Sequence, residues 1–204
     1  MLKKVLIGLG ALVAILLVVV ATRPNTYHVE RSTKIAAPAD VIFSSVNDFK
    51  AFPEWSPWAK RDPNMKVTVS AQSAGVGATY AWEGNKQVGK GKMTLTESQA
   101  PTHTKEKLEF LEPFPSVADT GFNIKPEGDS AATVTWYMDG KSNFMGKAMS
   151  LVMDMDKMIG KDFEEGLANL KRVSEAKRAA APTAAAPPAA EPAKVPASAP
   201  VKTP

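Results

Sequence analysis

Residues 145–177 read MGKAMSLVMDMDKMIGKDFEEGLANLKRVSEAK. At 100° per residue, Met145, Met149, Val152, Met153, Ile159, Phe163, Leu167 and Leu170 fall on one stripe, opposite Asp154, Lys161, Glu165 and Arg172. From about Phe144 to Lys177 the spacing therefore predicts a long amphipathic helix. A helix with one apolar stripe needs an apolar surface to cover, and the residues before it supply a sheet.

From Tyr27 the period is two, through Val29, Arg31, Thr33 and Ile35, which reads as a strand. Ala37-Pro38 then opens a short helix that places Val41, Ile42, Ser45, Val46 and Phe49 on one face and ends near Asn47-Asp48. Short alternating runs follow. Met65 to Ala71 is one; Ala78, Tyr80 and Trp82 share a face in the next, and Gly91, Met93 and Leu95 in the third, with Glu83-Gly84-Asn85 as the turn between those two. After Pro101 come Glu106, Leu108 and Phe110, then Ala118, Thr120, Phe122 and Ile124, then Ala132, Val134, Trp136 and Met138. About seven strands joined by short turns make an antiparallel meander. The expected fold is α+β, a curved antiparallel sheet around a long C-terminal helix.

Both ends differ from the middle. Met1-Leu2-Lys3-Lys4 precedes an uncharged run from Val5 to Ala21. Seventeen residues give roughly 25 Å of helix, at the short end of what crosses a hydrocarbon core of about 30 Å. Residues 1–23 are expected to be a single-pass membrane anchor with the N-terminus cytoplasmic, or a signal peptide, since Val19-Val20-Ala21 offers small residues for cleavage. In either case the domain, 24–178, is expected to be extracytoplasmic (periplasmic in a Gram-negative cell). Residues 179–204 are mostly Ala and Pro and are expected to form a disordered spacer, either without a partner or tethering an envelope component or another protein.

Lys3 and Lys4 and the tail supply most of the formal charge of +4, leaving residues 5–178 at about +1. A nearly neutral middle argues against nucleic acid as a partner. With no cysteine, disulfides and thiolate chemistry are excluded.

Arg31-Ser32, Ile35-Ala36-Ala37-Pro38, Val41, Phe43, Val46-Asn47-Asp48-Phe49 and Trp55-Ser56-Pro57-Trp58 resemble the opening of the START-like (SRPBCC) superfamily, in the branch called polyketide cyclase/dehydrase and lipid transport. Gly75-Val76-Gly77-Ala78, Trp82-Glu83-Gly84-Asn85, Gly89-Lys90-Gly91 and Ile159 to Leu167 are similar to the same branch. The resemblance spans about residues 27–176. It implies the helix-grip fold, in which sheet and C-terminal helix enclose an apolar cavity. It implies no single chemistry, because members include lipid carriers, receptors and cyclases.

In that setting Phe52-Pro53-Glu54-Trp55-Ser56-Pro57-Trp58 sits where the first helix returns to the sheet. Trp55 and Trp58 either wall the cavity or fill the core. The other candidate contacts for a small hydrophobic, lipid-like ligand are Tyr80, Trp82, Phe110, Phe122 and Trp136 from the sheet and Met149 and Met153 from the helix, where flexible thioethers adapt to varied shapes. Burial of an alkyl chain there gains about 0.8 kcal/mol per CH₂. Asp156 falls within the apolar stripe, where an unpaired carboxylate is costly. It is either a polar contact for the ligand or a sign that the helix breaks near Met153, with Asp154 or Asp156 capping the second segment.

Signals for catalysis are sparse. His28 and His103 lack metal-ligand spacing, no Gly-x-Ser-x-Gly elbow occurs, and Gly75-x-Gly77 and Gly89-x-Gly91 lack the following helix of a phosphate cradle. No metal and no cofactor is expected. The alternative to ligand binding is a cyclase- or aromatase-like enzyme, and it requires Asp156 or His103 to face the cavity. A third reading, an interaction module displaying the tail, requires a filled core.

Overall fold

The computed structural model describes residues 1–180. Helix α1 (Leu2–Thr22) is followed by strand β1 (Thr26–Ile35), helix α2 (Ala39–Val46) and helix α3 (Phe52–Trp55). A single 3-10 turn at Trp58–Lys60 leads to β2 (Lys66–Val69), β3 (Thr79–Glu83), β4 (Lys90–Gln99), β5 (His103–Glu112), β6 (Ser116–Pro126) and β7 (Ala132–Lys141). Helices α4 (Phe144–Met149) and α5 (Met155–Ala180) close the described chain.

The seven strands form one antiparallel sheet in the order β1-β7-β6-β5-β4-β3-β2. Only β1 leaves the meander, crossing to pair with β7. The connection holds α2 and α3, and both pack on α5. Irregular pairing at Lys90/Gly91 and Leu95/Glu97 bends β4, as bulges do, and helps the sheet curl around the helix. The inner positions read from alternation are the buried ones: Val29, Ile35, Tyr80, Leu95, Leu108, Ile124, Val134 and Trp136 meet Phe163, Leu167 and Leu170 of α5 in one core.

The apolar stripe from Met145 to Leu170 is not one helix: the chain turns between Met149 and Met155, so the single long helix is corrected and the alternative, a break near Met153, is the one found. Asn143 Oδ1 accepts from the Gly146 N–H at 2.9 Å to start α4, and Asp154 Oδ1 accepts from the Lys157 N–H at 3.1 Å at the start of α5. The break is thus Asp154's to cap, and it separates Met145 and Met149 from the half of the stripe that covers the sheet.

Helix α1 has 21 residues, one of which, Val20, is buried. By length and composition it can cross a membrane, and a signal sequence meets the same test. Of the expected tail, Ala179 and Ala180 continue α5, and the remainder lies outside the described residues.

Candidate functional site

The core does not fill the space at one end of the sheet. A partly enclosed cavity of about 290 Å³ remains between the inner sheet face, the α3 segment and the first turns of α5. It is roughly twice the size of a cavity that accepts benzene.

Five of the aromatic residues singled out in the sequence, Trp58, Tyr80, Trp82, Phe110 and Trp136, line this cavity. The strand period explains why: Tyr80 and Trp82 are i and i+2 on β3, and Phe110 pairs across β6 at Ser116. The Trp82 indole N–H donates to Val88 O at 3.0 Å, and the Trp136 N–H donates to Thr120 Oγ1 at 3.1 Å. Each ring is held by its polar end and offers its apolar face.

The other five candidates are elsewhere. Trp55 is core rather than wall: it is 1% exposed, its N–H donates to Ser45 O at 3.0 Å, and its ring is edge-on to Phe52, Phe122 and Trp136. Phe122 is buried, stacks on Trp136 and is not among the residues that line the hollow. Met149 and Met153 are removed by the break before α5; Met153 lines a separate groove with Arg23, Pro24 and Leu151. Asp156 points outward, where both its carboxylate oxygens accept from Arg31 at 3.0 Å. Arg31 holds its carboxyl below the usual aspartate range.

Several wall residues escaped the sequence reading. Tyr27, Met93, Leu108, Thr120 and Met138 line the cavity from strands, and Met155, Met158 and Ile159 from α5. Alternation had placed most of these strand residues on the inner face, but it gives no sign of which inner residues border a hollow. Of the α5 residues, Ile159 lies on the apolar stripe, whereas Met155 and Met158 lie off it and border the hollow because α5 begins at Met155.

Polar groups at the wall are few. Ser56 Oγ is buried and without a hydrogen-bond partner among the described residues. Asp162 is tied to the Arg61 guanidinium. Burial raises the Tyr80 hydroxyl to about 12, so it stays protonated.

Glu106 is the group that sequence reasoning passed over. It sits on the inner face of β5 between Thr104 and Leu108, paired across the strands with Leu95 and with Thr120, a cavity-lining residue. Fully buried, its carboxyl is pushed up to about 8 by loss of solvation and is neutral at pH 7. Thr104 pulls weakly the other way, since neither Thr104 Oγ1 nor Glu106 Oε1 reaches a partner in hydrogen-bond geometry. An unpaired inward glutamate among apolar neighbours was visible in the alternation.

His103, the residue that the enzymatic alternative required besides Asp156, faces the outside of the sheet. Its Nδ1 lies 2.9 Å from Asn123 Oδ1 and its ring stacks over Tyr137. Among the described residues no cluster of His, Asp or Glu could hold a metal ion.

A sequence profile for the family described as polyketide cyclase/dehydrase and lipid transport matches residues 26–175. The chain belongs to that family. Solved structures agree with this polyketide cyclase/dehydrase and lipid transport fold. The chain is similar to a START superfamily protein from Mycobacterium smegmatis, at 18% identity and TM-score 0.52, over 74% of this chain and 98% of that one. It is similar also to the ZhuI aromatase/cyclase from Streptomyces sp. R1128, at 12% identity and TM-score 0.54, over 74% and 95%. Norcoclaurine synthase from Thalictrum flavum matches at 11% identity and TM-score 0.56, over 74% and 96%. No curated protein matches the chain. At such identities the shared property is the START-like fold, which by itself fixes no single chemistry.

Proposed function

We propose that this chain binds a small hydrophobic molecule, lipid-like in character, between the sheet and α5, with α1 holding the domain beside a membrane on its extracytoplasmic side. The observation that carries the reading is the partly enclosed 290 Å³ cavity, walled by seven aromatic side chains and by methionines. A filled core, as an interaction module requires, would have left none. Apolar walls bind by area and tolerate varied shape, and thioethers add to that tolerance. The unpaired Ser56 hydroxyl suits a ligand with one polar atom on an otherwise apolar body.

The test uses the full chain purified in mild detergent and transferred to nanodiscs. Mass spectrometry of a solvent extract identifies a co-purified ligand, and a fluorescent fatty acid measures binding to the emptied protein. Leu108→Trp, which places a larger ring in the cavity, is expected to abolish probe binding in a protein that still melts cooperatively. Protein that extracts empty and binds neither fatty acids nor apolar probes would overturn the reading.

One observation favours the second reading, a cyclase-like enzyme: Glu106 is a neutral carboxyl beneath the cavity wall and could serve as a proton donor. Against it, Asp156 and His103 both face outward and Glu106 is not itself a wall residue. A protein or envelope partner for the Ala/Pro tail belongs to the same proposal as a separate function, tested by pull-down with and without residues 179–204.

A further inference from the structure

The register of the sheet brings Thr26 of β1, Lys141 of β7, Ser116 of β6 and Phe110 of β5 to the same end. That end carries most of the large apolar side chains left in solvent outside α1. Phe114 is 74% exposed and Val152 81%, and Val117, Phe144, Met145 and Met149 are also exposed. They come from two places distant in sequence, the β5–β6 hairpin and the α4 segment. Scattered exposed apolar residues are ordinary, but a cluster on one end of a domain marks a surface that is covered.

Helix α1 indicates what covers it. It ends at Thr22, shortly before β1 begins at Thr26, and its main contact with the rest of the fold is with α4. A helix whose uncharged run approaches the length of a bilayer's hydrocarbon core thus leaves the domain beside the α4 part of the apolar cluster. Arg23, Lys141 and Lys147 lie in the same region, suited to anionic headgroups, with Glu112 and Asp154 as acidic neighbours.

We infer that the α4 segment and the Phe114 hairpin form a docking surface for a lipid bilayer, inserting their apolar side chains at the interface beside the exit of α1. The inference rests on the membrane-tethered reading above. It also gives the cavity a neighbour of the right chemistry. Tyr27 and Met155 line both the cavity and the groove beside Arg23 and Val152, so that groove leads from the docking surface toward the hollow. A second copy of the chain would not explain why the patch lies beside the root of an apolar helix.

The chain contains no cysteine, so single-cysteine variants report one position each. Phe114→Cys and Val152→Cys, with Leu12→Cys in α1 and Asp129→Cys in the β6–β7 turn as references, are labelled with an environment-sensitive nitrobenzoxadiazole dye. The full chain is reconstituted in phosphatidylcholine–phosphatidylglycerol vesicles. Acyl-chain-brominated lipid is expected to quench labels at 12, 114 and 152 several-fold more than the label at 129. Quenching at 12 with aqueous behaviour at 114 and 152 overturns the docking surface and leaves the tether standing. Labels at 114 and 152 that are shielded from iodide but unquenched by brominated lipid mean a protein contact, and also overturn it. An aqueous label at 12 overturns the tether, and the docking surface with it.

Discussion

The Trp136 indole lies flat on the Phe163 ring, centroids 4.1 Å apart and planes within 7°. This contact fixes α5 to the β1–β7 side of the sheet, and Trp55, Trp58 and Phe122 pack around the same indole. The indole is both cavity wall and anchor, so the position of the helix and the shape of the hollow are set together.

Loss of that stack is expected to be costly. Phe163→Ala should lower stability by about 3–5 kcal/mol, read from denaturant titration. Gly166→Ala makes a sharper test, because a Cβ there would lie 2.5 Å from Trp136 Cζ3. The gain in helix propensity is about 1 kcal/mol, against an overpacking penalty of about 1–3 kcal/mol on a ring that cannot move, so the melting temperature should fall. Gly160→Ala meets instead the flexible end of Arg31 and should leave it nearly unchanged.

The two tryptophans of the Trp-Ser-Pro-Trp segment should separate by phenotype. Trp55→Ala removes a fully buried ring and an internal hydrogen bond and should cost about 3–5 kcal/mol of stability. Trp58→Ala opens the cavity wall. It should weaken binding of an apolar probe by about tenfold, ~1.4 kcal/mol, with a much smaller change in melting temperature.

Glu106 makes stability depend on pH. Its folded pKa, about 8, is raised above an ordinary 4.5, so the unfolded chain releases this proton first as pH rises. Stability from this group is fully present below about pH 4.5, falls as pH rises through the window, and levels off above about pH 8. The slope is at most about 1.4 kcal/mol per pH unit. Melting temperatures between pH 5 and pH 8 should decline more steeply in the wild type than in Glu106→Gln.

Asp154 and Asp156 are adjacent acids in opposite roles. Asp154→Ala leaves the first amides of α5 without their cap and should lower the melting temperature and disorder the turn between α4 and α5. Asp156→Ala breaks a solvent-exposed pair with Arg31 and should change stability little. Apolar probe binding should be unaffected by the second, as the carboxylate faces away from the cavity.

Local pattern alone determined the elements of this protein. Alternating residues from Tyr27 to Met138 can bury one face only as strands, and the stripe from Ile159 to Leu170 can bury one face only as a helix, so the α+β fold and the inner faces of the strands followed. The period of a strand or helix says which way a side chain points, but not what stands opposite it. Whether Trp55 meets other rings and Trp58 meets a void depends on contacts between segments far apart in the chain. The same holds for Asp156, whose partner Arg31 lies 125 residues away. The capped break that withdrew Met149 and Met153 from the site is by contrast local, with Asp154 accepting from the Lys157 N–H three residues on. Packing between distant elements set the boundary of the hollow, because a cavity is the volume that those elements fail to fill.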